Sequence, residues 1–214
     1  MRPGEAALER QRQAILEAVL AVDSQRLRRL LDESFARWSP EAVVQGLLAP
    51  VAWRIGELWR AGRCSVASEH LATEMFSLRL RSLLDATQPP AEGPLLLAAC
   101  FPEERHEFGL LVVGYQLARR GRRLIHLGSS LPFEELEKAC EAVRAEAVLL
   151  SVTLPELYQK HRAELVALLR RRQGRLRCVV GGQGVPPQDQ ELAALGAVLW
   201  PAGRTVGELA GLLV

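Results

Sequence analysis

A single histidine, His106, lies in a short charged stretch, "FPEERHEFG", between an apolar run and a helical pattern. An imidazole can exchange a proton near neutral pH or bind a metal ion. Gly109 closes the stretch where we expect the next helix to begin, and free backbone N–H groups gather at such a helix start. The stretch therefore suggests a ligand-binding loop, although a lone loop histidine is more often simply solvated.

Two later stretches place small or polar residues directly after apolar runs. Ser151 and Thr153 follow "AVLL", and Gly181 and Gly182 follow "CVV". The missing β-carbons of two glycines allow a large group to lie against the backbone. The ordinary alternatives are strand-end hydroxyls that bond the local backbone and a plain glycine turn. Binding becomes the better interpretation only if the three stretches meet at one edge.

Residues 5–87 carry the helical hydrophobic period almost throughout. Asp23, Ser39 and Ser65 are suitable N-caps for the second, third and fourth helices, and Pro40 suits the first position of the third. Four amphipathic helices joined by short links predict an all-α domain, a four-helix bundle.

The pattern changes after "TQPPAEGP", which is typical of a linker, so we predict a bundle over residues 1–88 and a second domain over 89–214. Short apolar strands then alternate with helices, which predicts a doubly wound α/β domain of the Rossmann or flavodoxin-like type with a five-stranded parallel sheet. Such sheets bind ligands outside the carboxyl ends of their strands. The predicted strands cover residues 95–100, 123–127, 147–152, 177–180 and 197–200.

Composition excludes several classes of protein. The net charge of +2 gives no argument for nucleic acid or an anionic membrane, and no apolar run is long enough to cross a bilayer. The four cysteines are scattered singly, which argues against zinc and redox motifs. Neither a GxGxxG loop nor a Walker lysine is present. We expect a cytoplasmic protein.

The three stretches together resemble the motifs of the cobalamin-binding domain that carries a helical cap, over residues 95–214. Glu104-Arg105-His106-Glu107-Phe108-Gly109 resembles the family's DxHxxG motif, Ser151-Val152-Thr153 its second motif, and Gly181-Gly182 its third. The resemblance implies that His106 is the lower ligand of cobalt and that Glu104, in place of the family's aspartate, orients it. It also implies that Ser151 and Thr153 line the pocket of the displaced base, with the nucleotide tail against the glycines.

In the helical half, Trp59 and the pair Glu69-His70 resemble the W-x9-EH signature of CarH-type light-sensing regulators and cobalamin-binding antirepressors. The resemblance implies that these three residues contact the upper ligand; the ordinary alternative is a core tryptophan and a solvated pair. The familiar light-sensing repressors have a histidine after the tryptophan, whereas this chain has Arg60, which cannot bind a metal. His70 is the candidate to replace it.

The resemblance implies a cobalamin-binding sensor, without enzymatic activity, that responds to light through adenosyl- or methylcobalamin and controls transcription. We expect a transcription factor or another regulatory protein as its partner, a possible homo-oligomer, and neither direct DNA binding nor membrane attachment. The alternatives are a corrinoid methyl carrier, whose loop typically continues Lys-Asn where this chain has Leu110 and Leu111, and an interaction module that has lost the cofactor.

Overall fold

The computed structural model describes residues 3–87, 92–200 and 206–212. The chain divides into two compact units, Met1–Ala86 and Thr87–Val214. The boundary predicted between residues 88 and 89 lies outside the described residues. No helix in the described ranges is long and apolar enough to span a membrane.

The first unit is helical, as the sequence predicted. Helix α1 covers Glu5–Leu20 and α2 covers Ser24–Arg37. Helix α3, Pro40–Val43, continues through a π-helical turn, Val44–Leu48, into α4, Ala49–Arg60, and α5 covers Val66–Asp85.

All three predicted N-caps are confirmed, because each side chain accepts a hydrogen bond from a backbone N–H in the first turn. Asp23 accepts from Arg26, Ser39 from Ala42 and Ser65 from Ser68. These bonds satisfy donors that a helix start leaves without intrahelical partners. The helix starts were therefore readable from single residues.

The π-helical turn interrupts what the sequence predicted as one regular helix. Pro50 has no N–H to donate to the carbonyl of Gly46, four residues earlier, and its ring crowds that carbonyl in a regular helix. The Arg12 Nε, from α1, donates to the Gly46 oxygen at 2.7 Å. A β-carbon at Gly46 would lie 3.1 Å from Leu8 Cδ2, so α1 also packs closely here. The π-helical turn between α3 and α4 is thus held against α1 by one hydrogen bond and by close packing.

The second unit, in its described part, is a five-stranded parallel sheet in the order β2-β1-β3-β4-β5. The strands cover Leu95–Cys100, Arg123–Gly128, Ala147–Ser151, Arg177–Gly181 and Ala197–Trp200. The helices are α6 Phe108–Ala118, α7 Phe133–Val143, α8 Pro155–Arg171, α9 Gln190–Ala194 and α10 Val206–Leu212. This arrangement confirms the predicted fold class.

Apolar clusters cover both faces of the sheet, as alternating buried strands require. One face contains Leu97, Val148 and Val180, and the other contains Leu96, Leu149 and Val179. Strand order decides where a ligand can bind. The chain leaves β1 toward β2 on one side and returns to β3 on the other, so a crevice opens at the carboxyl ends of β1 and β3.

Candidate functional site

The loop after β1 is anchored at its start by an aromatic residue. Phe101 is fully buried, and its ring meets that of Phe133 edge-on at 5.1 Å. Its backbone N–H donates to the Ser151 carbonyl at 3.0 Å, which ties the loop to the end of β3. The loop that carries His106 therefore begins at a fixed point beside the crevice.

Glu104 is the centre of hydrogen bonding in this loop, and its side chain is fully buried. Its Oε1 lies 2.6 Å from His106 Nδ1 and accepts from the His106 backbone N–H at 2.9 Å. Its Oε2 accepts from the N–H groups of Thr153 at 2.6 Å and Leu154 at 3.2 Å. One carboxylate thus joins the loop after β1 to the loop after β3.

The electrostatics keep this carboxylate ionised. Burial acts to raise the pKa of Glu104, but hydrogen bonds from the His106 ring, the His106 backbone and Thr153 outweigh it, so the pKa is lowered. An ionised carboxylate only accepts, so His106 donates from Nδ1, and in the neutral imidazole Nε2 carries the lone pair. The His106 side chain is 51% exposed. The arrangement can therefore present an imidazole nitrogen to a metal ion.

The thiol closest to this loop does not offer a competing ligand. Burial, followed by the negative charges of Glu104 and Glu107, raises the pKa of Cys100 to about 12. Metals bind the thiolate, so Cys100 stays protonated and unsuitable at neutral pH. Among the described residues, no three His, Cys, Asp or Glu side chains converge into a metal cage.

The remaining predicted residues of the sheet unit lie along the same edge. Ser151 is buried and pairs in register with Cys100 on one side and Gly181 on the other. Thr153 is half-buried and contributes its backbone N–H to Glu104. Gly109, predicted to begin α6, is its second residue, and a β-carbon there would meet nothing within 4 Å.

The two glycines also have a reason within the chain to be glycine. Gly182 has φ +114°, and a β-carbon there would lie 2.1 Å from the carbonyl oxygen of Val152. A β-carbon at Gly181 would lie 3.2 Å from the carbonyl oxygen of Trp200. Contacts within the chain thus require a glycine at position 182 and favour one at position 181, in addition to any contact with a ligand.

The three predicted residues of the helical unit lie at the junction of α4 and α5. Trp59 is the penultimate residue of α4, and Glu69 and His70 lie in the first two turns of α5. Trp59 is half exposed and His70 largely exposed. Glu69 Oε1 accepts from Thr73 Oγ1 at 2.7 Å, and its Oε2 lies 3.6 Å from His70 Nε2. Trp59 is not the core residue that the ordinary interpretation required.

Sequence reasoning missed two residues that hold the His106 loop. Glu103 forms an ion pair with Lys160, and its Oε1 lies 3.2 Å from His161 Nε2; both partners are on α8. Ser130, in the loop after β2, accepts from the Glu103 N–H at 3.1 Å and donates its own N–H to the Glu104 carbonyl at 2.9 Å. No local pattern indicates these pairs, because their members are 26 to 58 residues apart.

Residues 11–84 match the family described as the B12 binding domain. The match lies in the helical unit and includes Trp59, Glu69 and His70, whereas the Glu104–His106 loop lies outside it. Cobalamin is therefore the cofactor, as the sequence predicted.

Two curated relatives are HTH-type transcriptional repressors of Myxococcus xanthus. CarH is 40% identical over 140 residues, which cover 65% of this chain and 46% of CarH. CarA is 34% identical over 189 residues, which cover 88% of this chain and 64% of CarA. The chain thus spans less than two thirds of the length of either relative. The predicted resemblance to CarH-type regulators is confirmed.

A solved structure, the monomethylamine corrinoid protein of Methanosarcina barkeri, has a similar fold. The TM-score is 0.69 at 18% identity, over 92% of this chain and 93% of the corrinoid protein. At this identity the likeness establishes the fold only. The likeness agrees with the helical unit and the parallel-sheet unit described above.

The residues present fit a cobalamin bound through a lower histidine. Such a ligand needs one ring nitrogen held by a hydrogen-bond acceptor, and Glu104 holds Nδ1 of His106 in this way. The ring is at the carboxyl edge of β1, beside the crevice where this topology binds ligands. His106 would hold cobalt, with Glu104 fixing the tautomer.

Proposed function

We propose that this protein is a cobalamin-binding sensor that regulates transcription through a protein partner and responds to light. The observation that carries the proposal is the 2.6 Å contact between a fully buried carboxylate and the half-exposed ring of His106. A buried ionised carboxylate is costly unless it is well paired, so its place beneath one imidazole favours a ligand role. The two curated relatives, both transcriptional repressors, support the regulatory part.

The predicted contacts of cobalamin divide between the two units of the chain. We assign the lower side to Glu104, His106, Ser151, Thr153, Gly181 and Gly182, with Gly109 starting α6 nearby. We assign the upper side to Trp59, Glu69 and His70. Half-exposed indole and exposed imidazole groups are available for such contacts. When bound, adenosyl- or methylcobalamin supplies a cobalt–carbon bond that light can cleave.

Three residues at the junction of α4 and α5 would convert the cleavage of this bond into a change at the protein surface. Trp59 would contact the cofactor and would change its packing if that contact were lost. The Arg60 guanidinium offers only donors and could not bind a metal, so His70 is the nearest imidazole in sequence that could do so. The altered helical surface then changes binding to a regulatory protein.

An absorption spectrum recorded in the dark and after illumination tests the proposal. We expect protein reconstituted with adenosylcobalamin to show the histidine-bound spectrum, and His106→Ala to show the base-off spectrum. Illumination should change the spectrum together with oligomeric size or partner binding. An unchanged spectrum in His106→Ala contradicts the ligand assignment, and light-independent spectra contradict the sensor.

A corrinoid methyl carrier is the second candidate, and the shared fold with the monomethylamine corrinoid protein is the observation in its favour. Leu110 and Leu111 stand where methyl carriers typically have Lys-Asn, and both leucines are buried against the sheet unit. Reduced protein that accepts a methyl group from a methyltransferase, and whose partner binding ignores light, would support the carrier instead.

A further inference from the structure

Glu103 has a backbone conformation that residues with a β-carbon rarely adopt. Its φ is +64°, in the left-handed region, and Ser130 in the loop after β2 has φ +55°. The two residues hold each other, since the Glu103 N–H donates to Ser130 Oγ and the Ser130 N–H donates to the next carbonyl, that of Glu104. Strained backbone persists only where the surrounding structure enforces it.

The side chain of Glu103 is held by the second turn of α8. Lys160 Nζ lies 2.5 Å and 2.8 Å from its two oxygens, and His161 Nε2 lies 3.2 Å from Oε1. The hydrogen bond from Lys160 is the main cause that lowers the pKa of Glu103, which keeps the carboxylate charged. The loop is therefore fastened to α8 by a charged group of its own.

His161 is a buried partner of Glu103 whose position is fixed within α8. Its side chain is only 8% exposed, and its Nδ1 lies 3.0 Å from Glu164 Oε1 in the same helix. The imidazole is thus placed by α8 before it meets Glu103. A buried polar side chain with a partner on each ring nitrogen has little freedom to move.

Glu103 and Glu104 are consecutive, yet their carboxylates serve different purposes. Glu103 reaches the second turn of α8, whereas Glu104 reaches the N–H groups of Thr153 and Leu154 and the ring of His106. A rotation about the backbone of Glu103 would move Glu104, because the two share a peptide bond. A ligand geometry needs its support held to within about 0.5 Å.

We propose that Glu103, Lys160 and His161 form a loop clamp that positions Glu104 beneath His106 and so sets how strongly His106 ligates cobalt. The proposal rests on the proposed function, in which His106 is the lower ligand. These three are positioning residues, since they touch the loop and not the metal.

Lys160→Met tests the clamp, with Lys160→Arg as the variant that keeps the cation. Lys138→Met is the matched control, because among the described residues Lys138 forms its ion pairs within α7, with Glu134 and Glu135. Glu103→Gln removes the negative charge that pairs with Lys160. The free energy of unfolding of each variant, measured in urea, separates a loss of stability from a loss of positioning.

The first measurement needs no cofactor. In protein labelled with ¹⁵N-histidine, the Nδ1 proton of His106 should give a downfield signal, assigned by its loss in His106→Gln. We expect this signal in wild type, Lys160→Arg and Lys138→Met. We expect it to broaden through exchange with solvent in Lys160→Met and Glu103→Gln, because Glu104 no longer holds the ring.

The second measurement uses cob(II)alamin and the nitrogen splitting of its electron paramagnetic resonance spectrum, which reports an axial imidazole. The ratio of histidine-bound to histidine-free cobalt should fall about tenfold in Lys160→Met and Glu103→Gln, the size expected for loss of a supporting contact. Wild-type protein without nitrogen splitting would overturn the role of His106 itself. Splitting in wild type that is unchanged in both variants would overturn the clamp alone, whatever their stability.

Discussion

The two oxygens of Glu104 serve different partners, and only a carboxylate can serve both. Oε1 accepts from the ring and backbone of His106, while Oε2 accepts from the N–H groups of Thr153 and Leu154. The sequence predicted the first contact through the motif but not the second, which joins residues 49 apart. The glutamate in place of the family's aspartate thus also holds the loop after β3.

Glu104→Gln should lower the free energy of unfolding by about 2–3 kcal/mol, because one amide group then faces backbone donors that it cannot accept from. Urea denaturation at pH 7 measures this. Glu135→Gln, on the exposed surface of α7, is the control and should stay within about 0.5 kcal/mol of wild type. Equal stability of the two variants would contradict the role of Glu104.

Gly182→Ala should destabilise the protein by about 2–4 kcal/mol, since its β-carbon would overlap the Val152 carbonyl at a positive φ. Gly109→Ala is the matched substitution, because its β-carbon meets open space inside a helix. It should leave stability unchanged or raise it by about 0.5–1 kcal/mol. The same urea titration decides, and a neutral Gly182→Ala would refute the packing argument.

At the level of helices and strands, local signals predicted most of the fold. The strand positions and the caps at Asp23, Ser39 and Ser65 follow from hydrophobic period and single residues. The π-helical turn was missed although Pro50 was a visible signal, because the surrounding apolar period continues through it. Strand order and the clamp on α8 depend on residues far apart in the chain, which no local pattern records.

The contact between Arg12 and the Gly46 carbonyl should depend on Pro50. We expect Arg12→Met to cost about 1–2 kcal/mol, because it leaves a carbonyl poorly satisfied. In a Pro50→Ala background the restored N–H can bond that carbonyl, so the same substitution should cost less. A double-mutant cycle in urea measures the coupling, and strict additivity would contradict this explanation.

Asp189 connects α8 to α9 through hydrogen bonds, and it should make the free energy of unfolding depend on pH in the acidic range. It caps α9 by accepting from the Leu192 N–H, and it accepts from Tyr158 and Arg162 on α8. The hydrogen bonds from Arg162 are the main cause that holds the pKa of Asp189 well below its usual range. A lowered pKa stabilises the fold above the unfolded value, near pH 4, and this contribution is lost as pH falls further.

Asp189→Asn keeps a good N-cap but removes the charge, so it should cost about 2 kcal/mol at pH 7. The gap to wild type should narrow below about pH 4, because Asp189 of the unfolded wild-type chain then binds a proton that the folded chain does not. Urea titrations between pH 3 and pH 7 give both numbers. A gap that stays constant over this range would contradict the assignment to Asp189.

For the whole molecule, the proposed binding of cobalamin predicts that the cofactor raises the stability of the folded chain. Ligand that binds only the folded chain adds about 2.7 kcal/mol to its stability at a hundred times the dissociation constant. Light can shift an equilibrium of the protein only through a difference in affinity between dark and lit cofactor. The free energy of unfolding should therefore change when cobalamin binds and change again when light alters the affinity for the cofactor.

Thermal unfolding followed by far-ultraviolet circular dichroism should show this linkage. We expect adenosylcobalamin to raise the melting temperature in the dark, His106→Ala to reduce the rise, and illumination to change it in wild type. Cobinamide, which lacks the nucleotide tail, is the control for corrin contacts alone. Identical dark and lit melting curves would contradict light sensing.

Gly182 has a consequence for how descent is traced among such proteins. Because Val152 excludes any side chain there, a descendant that had abandoned cobalamin would still inherit this glycine. No comparable steric contact requires Glu104 or His106. Without cobalamin, substitutions that replace the buried carboxylate or the imidazole above it would no longer be selected against. After cobalamin binding is lost, Glu104 and His106 would therefore be substituted first, while the glycines would be retained because the fold needs them.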